Sequence, residues 1–182
     1  MNINDVIKIV ANLLQLNNLI DADLESYNTL DDQTKKDINL IVSSTNEVLS
    51  DIATDYFPLK ATEQITVLNG SFDLTTLTHD FHKLLSVATT NAYEVEMETL
   101  KIQNGCYKLK YSYLPEVLEL GDDIEVDKRV TIFALCFGVC GEFCLVSGNY
   151  AESEMWNSKY QNAISVCKRS LKMPRLKNRR WI

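Results

Sequence analysis

The residues that could do chemistry by type and spacing gather in two places. His79, Asp80 and His82 fall within Thr78-His79-Asp80-Phe81-His82, where two imidazoles and a carboxylate could in principle hold a divalent metal. An i, i+3 histidine pair in a loop with one carboxylate is poor ligand spacing, and exposed turn residues are the better reading. Cys136, Cys140 and Cys144 recur every four residues, so they share one face of a helix. No histidine stands beside them and the run around them is apolar, which favours free thiols buried as small hydrophobes over a metal site. Glu142, inside the same run, is an odd place for an ionisable group. A buried carboxylate can serve as a general acid, but without a second catalytic group it is better matched to a Lys/Arg partner or an interface. The sequence has no Gly-x-Ser-x-Gly, no glycine-rich phosphate loop, no His-Glu-x-x-His and no Cys-x-x-Cys. The expectation is a non-enzyme with no catalytic residues, no metal and no cofactor.

The elements that must carry these residues follow from periodicity. An apolar content of 46% with 24% charged residues is ordinary for a soluble globular chain and argues against wholesale disorder. Residues 4–16 place Ile3, Val6, Ile7, Val10, Leu13 and Leu14 at helical spacing, with Asn2 or Asn4 as cap. A longer helix is expected over 30–56, capped by Thr29 and stopped by Pro58. The middle reads as strands. Asn69-Gly70 and Asn104-Gly105 are both type I′ turn signals, each predicting a tight hairpin between its flanking runs. Tyr107, Leu109, Tyr111 and Tyr113 alternate with Lys108, Lys110 and Ser112, the mark of a sheet with one buried and one wet face. Further strands are expected at 83–87 and 93–97.

From about 127 to 146 comes a helix that is apolar nearly all round, including Phe133, Phe137 and Phe143, and therefore enclosed on most sides. Gly138 and Gly141 lack side chains and let another backbone approach there. Ser147-Gly148-Asn149 breaks it, and a final helix over 150–171 carries Met155, Trp156, Tyr160, Ile164 and Cys167. The short break makes the two an antiparallel pair. The predicted fold class is α+β, mainly α. It comprises N-terminal helices (1–58), an inserted antiparallel β-hairpin region (59–114), an acidic linker (115–126), a C-terminal helical hairpin (127–171) packing with 1–58 as one core, and an extended basic arm (172–182).

Charge is unevenly spread. The net charge is −7, yet residues 168–182 hold seven Lys/Arg and no acid. The other 167 residues hold eleven basic and all 25 acidic side chains, a net of −14. The linker acids Glu116, Glu119, Asp122, Asp123, Glu125 and Asp127 read as a solvated loop whose last members favour a helix N-terminus, with a contact to a basic partner as the sharper alternative. The basic run reads as a solvated tail or as an anchor. Lys168, Arg169, Lys172, Arg175, Lys177, Arg179 and Arg180 alternate with apolar residues and end on Trp181-Ile182, and Trp with Arg is the pairing that anchors interfaces. Nucleic acid competes as a partner, since clustered cations neutralise phosphates; the acidic body opposes it. The longest apolar stretch, 130–146, contains Glu142 and is shorter than the roughly 20 residues of a membrane span. The N-terminus lacks a signal peptide's basic region and cleavage site, so no membrane association and a cytoplasmic origin are expected.

One stretch carries a resemblance. Residues 134–152, ALCFGVCGEFCLVSGNYAE, with Met155-Trp156 and Lys159-Tyr160 after them, resemble the head-to-tail adaptor (connector) proteins of tailed bacteriophages: a small-residue helix, a Gly-Glu-aromatic step, a Gly-Asn-Tyr turn and a Met-Trp…Lys-Tyr helix. The opening Ile3-Asn4-Asp5-Val6-Ile7, the Tyr56-Phe57-Pro58-Leu59 step and the closing Arg175-Leu176-Lys177-Asn178-Arg179-Arg180-Trp181 are similar too. The resemblance spans most of the chain through diffuse patterns and is weakest over the β insertion. It implies a structural virion protein at the head-tail junction, made in the host cytoplasm. It implies a homo-oligomeric ring, a dodecamer in the family, beneath the portal protein. The ring would extend the DNA channel, with DNA passing without specific binding, and offer further tail components an attachment point. It implies that residues 168–182, Ile182 included, engage the portal. Phe133, Phe137, Gly138, Gly141, Phe143 and Trp156 would then pack the ring wall.

Overall fold

The computed structural model describes residues 1–169, so Lys172, Arg175, Lys177, Arg179, Arg180, Trp181 and Ile182 lie outside the described residues. Helices open and close the described chain and strands fill its middle, the mixed, mainly helical class expected. The chain divides into two units, one made of Met1–Val48, Leu118–Ile124 and the residues from Lys128 onward, the other of Leu49–Val117 with Glu125–Asp127.

In the first unit α1 spans Ile3–Leu14, and the Asn2 side chain accepts from the Asn4 amide as its cap. Its buried stripe is Ile3, Val6, Ile7, Val10 and Ala11. A short α2 (Asn17–Ile20) and a 3-10 turn (Leu24–Thr29) make the connection to the next helix. The long α3 spans Asp32–Asp51. Its cap is Asp31, not Thr29: Asp31 Oδ2 accepts from the amides of Gln33 and Thr34, both at 3.1 Å. Thr29 instead donates its hydroxyl to Ser26 O at 2.8 Å, closing the 3-10 turn. The segment Leu118–Ile124 is tied to the N-terminus. Ile3 N donates to Asp122 O, Ile124 N to Met1 O, and Asn2 Nδ2 to Gly121 O.

The helix α4 (Ile132–Val146) starts later than periodicity suggests, because Thr131 caps it, accepting from Ala134 N at 3.2 Å. Its first turn therefore holds no acid, and the linker carboxylates are not at its N-terminus. At the other end Gly148 takes φ 79, and Asn149 N returns to Cys144 O at 2.8 Å. That is the left-handed stop that glycine permits. Helix α5 (Tyr150–Arg169) follows and buries Trp156, Tyr160, Ile164 and Cys167, one stripe at helical spacing.

In the second unit, α3 runs out through a π turn, Ile52–Tyr56, in which Phe57 N reaches Ile52 O at 2.7 Å. Six strands follow: β1 (Leu59–Val67), β2 (Ser71–Asp73), β3 (Phe81–Val87), β4 (Glu94–Glu96), β5 (Thr99–Lys101) and β6 (Gly105–Tyr113). They form two antiparallel three-stranded sheets, ordered β1-β6-β3 and β2-β5-β4. Both sheets contribute to one core that includes Ile65, Val67, Leu100, Leu109 and Tyr111.

The pairing differs from the two hairpins expected. Asn69 and Gly70 do take the positive φ that the turn requires (58 and 75), but the turn closes a single bridge, Leu68 to Ser71. β1 pairs instead with β6, and β2 with β5. Asn104-Gly105 makes no hairpin either. Ile102 N donates to Gly70 O at 3.1 Å and Asn104 Oδ1 accepts from Gly70 N at 2.7 Å, so the second Asn-Gly locks onto the first while the chain crosses between sheets. The two-residue turn is Met97-Glu98, joining β4 to β5 with Met97 at φ 53.

Candidate interaction surfaces

The α4–α5 pair is built around its glycines. A Cβ on Gly141 would lie 3.5 Å from the backbone nitrogen of Asn157, and one on Gly138 only 2.7 Å from Val48 Cγ1 and 3.1 Å from Tyr160 Cδ2. Later residues of α4 thus meet earlier residues of α5, so the helices are antiparallel. The close approach that glycine allows occurs within the chain itself. Phe143 and Trp156 are buried there too.

Phe133 differs. It is 55% exposed, and its ring lies 6.4 Å from that of Phe137, which stacks on Trp156 at 5.9 Å. Lys159 Nζ sits 3.9 Å above the Trp156 ring, a cation–π contact that caps this aromatic row. Leu145, Val146, Tyr150, Met155 and Val166 are also exposed on the pair. Met155 therefore stands outside the stripe that periodicity assigned to it. Lys168 and Arg169, the first cations of the basic run, are exposed in the last turn of α5.

The groups considered for chemistry are placed apart. His79 stacks on Tyr113, ring centroids 4.2 Å apart, while His82 is exposed on β3. Among the described residues no group of three or more His, Cys, Asp or Glu could hold a metal. Cys136, Cys140, Cys144 and Cys167 are buried and Cys106 is exposed. Burial pushes the Cys136 thiol up to about 12, and Cys140 higher still. Burial, then the Glu152 carboxylate, pushes Cys144 up to about 11. These thiols stay protonated and unreactive at neutral pH. Glu142 is half-buried.

Sequence reading missed the roles of two tyrosines. Tyr111 donates its hydroxyl to Glu63, which also accepts from the Thr78 amide, and Tyr113 donates to Glu125 Oε1 at 2.6 Å. Burial first, then the carboxylate acceptor, holds both phenols up at about 12. The signal was present: a tyrosine on the buried face of a strand needs a partner for its hydroxyl.

Also missed was the make-up of the wet face of the β1-β6-β3 sheet. Across its rungs Lys60 and Lys83 flank Ser112, Thr62 and Ser86 flank Lys110, and Gln64 stands beside Lys108; Ser112 itself, expected to be wet, is buried and donates its hydroxyl to Lys83 O at 3.3 Å. Residues paired across antiparallel strands point to the same side. This face therefore carries four lysines and no carboxylate.

Neither a scan of protein-family models nor a search of curated proteins returns a match. No helix among the described residues is long and apolar enough to cross a membrane.

Proposed function

We propose that this chain is a non-enzymatic structural virion protein: a head-to-tail adaptor that forms an oligomeric ring beneath a phage portal, extends the DNA channel and provides the attachment point for the tail. The observation that carries the reading is the α4–α5 pair. Its inner faces are filled by the chain's own glycine-mediated packing, yet Phe133, Leu145, Val146, Met155 and Val166 remain outside. Apolar side chains left over on an already packed helical pair suit contacts with further subunits. The pair is also the segment whose sequence carries the adaptor resemblance, and α5 leads directly into the basic run assigned to the portal. A body of net charge −14 suits a channel through which DNA slides without sticking. Electron microscopy of the protein mixed with its cognate portal tests the proposal. A ring seated on the portal is expected, and portal particles without added density would overturn it.

The runner-up is a nucleic-acid-binding module acting through the basic C-terminal run. It predicts DNA affinity that falls steeply with salt and disappears when the run is deleted.

A further inference from the structure

Unit two carries two surfaces of opposite charge on its two sheets. On the β1-β6-β3 sheet, Lys60, Lys83, Lys108 and Lys110 share the wet face, all exposed and none with an ion pair among the described residues. On the β2-β5-β4 sheet, the terminal hairpin carries Glu94, Glu96 and Glu98. Between Lys83 and Lys101 the sequence holds these three acids and no base. Lys101 answers two of them in part, pairing with Glu96 at 2.5 Å and standing opposite Glu94 across the ladder.

Three features make this hairpin a partner for the lysine face. β4 is an open edge, paired with β5 alone. Glu96 and Thr99 close a two-residue turn as a hydrogen-bonded pair, so ladder alternation turns the N–H and C=O of Val95 toward the open side. Second, all of β4 is exposed, with Met97 at 97% exposure, and Tyr93, Val95 and Met97 line an open pocket with residues 81–84 of β3. Third, the spacings match: Glu94 and Glu96, like Lys108 and Lys110, are two residues apart on a strand, about 7 Å, with Lys101 as the competing cation for both acids in the free chain. Asp23, Asp31 and Asp73, by contrast, accept from backbone amides of their own turns.

We infer that the lysine face of one copy docks the acidic β4–β5 hairpin of a second copy. The two patches are different surfaces, so the contact is heterologous and repeats head to tail, closing into a ring when the rotation allows. The inference rests on the ring reading for that closure. A nucleic-acid backbone is the less favoured occupant, because the chain is net negative. The sheet face is small beside a stable interface of about 800 Å² per partner. Association of free chains is therefore weak and salt-sensitive.

The test is sedimentation of the full chain at high concentration and low salt, with charge reversals on each side. Wild type should self-associate, and added salt should reverse it. Lys108→Glu/Lys110→Glu and Glu94→Lys/Glu98→Lys should each weaken association about tenfold, and mixing the two variants should restore it. Lys108→Gln/Lys110→Gln, which keeps the strand free of new charge, should show a smaller loss and covers the case in which a reversal fails to fold. A wild type monomeric throughout, variants that associate like wild type, or a mixture that fails to recover would each overturn the pairing. So would duplex DNA bound by the lysine face in place of a second copy. A chain that seats on the portal yet never self-associates in solution removes this inference and leaves the adaptor reading standing. Self-association without portal docking does the reverse.

Discussion

Gly138 on α4 faces Val48 on α3 so closely that a Cβ there would come within 2.7 Å of the valine Cγ1. Gly141, one turn on, faces the α5 backbone, where a Cβ would lie 3.5 Å from Asn157 N. The same residue type thus serves two different packings, and alanine distinguishes them. Gly138→Ala gains about 1 kcal/mol of helix propensity but overpacks a buried contact, at a cost of about 1–3 kcal/mol. It should lower the melting temperature. Gly141→Ala makes an ordinary van der Waals contact and should be neutral or stabilising, by up to about 1 kcal/mol. Thermal unfolding of the two variants side by side decides; equal effects would contradict the geometry.

Asn46 and Leu118 exchange two hydrogen bonds. The Asn46 amide donates to Leu118 O at 3.1 Å, and its oxygen accepts from Leu118 N at 2.9 Å. The side chain stands in for a strand, satisfying a largely buried backbone. Asn46→Ala should cost about 1–3 kcal/mol, read as a lower urea midpoint. An unchanged midpoint would mean that water replaces both bonds.

Stability should fall in alkali. Tyr111 and Tyr113 are held up at about 12 by burial and by their carboxylate acceptors, against an ordinary value of 10.0. Between these values the folded chain keeps protons that the unfolded chain releases, so the tyrosines' contribution to stability is full below about pH 10 and declines as pH rises toward 12. The buried Cys136 and Cys144 thiols, raised to about 12 and about 11 from 9.0, act in the same direction. Urea midpoints across this range should drop, and Tyr111→Phe should flatten the slope. A midpoint that holds steady or rises would contradict the buried phenols.

Thiol titration checks the cysteine placement. Cys106 is the exposed thiol and the other four are buried. One equivalent should react quickly in the native protein and all five in denaturant. Fast reaction of a second thiol would show that the packing of α4 or α5 is open there.

These relationships differ in how far the sequence announces them. Helices α1, α4 and α5 are written in local periodicity, and the close approach at Gly138 and Gly141 follows from missing side chains in an apolar run. Cap choice was harder. Thr29 fits an N-cap by residue type, but the turn over 24–29 engages its hydroxyl and leaves Asp31 to take the helix amides. The sheets were least legible. Asn69-Gly70 has the local conformation that its residues favour, but partner choice depends on segments some 40 residues away, as in Ile65 opposite Tyr107. Lys108 and Lys110 were readable as a wet face from their alternation. That Lys60 and Lys83 join them depends on that long-range pairing, which a single sequence does not display.

Docking of the basic C-terminal run on a portal, as proposed, is checked most directly by cosedimentation with the cognate portal of the full chain and of a chain cut after Arg169, which keeps every described element. The account predicts that the full chain pellets with the portal and that the shortened chain, folded by circular dichroism, stays in the supernatant. Equal binding by the shortened chain, or no binding by either, would contradict it.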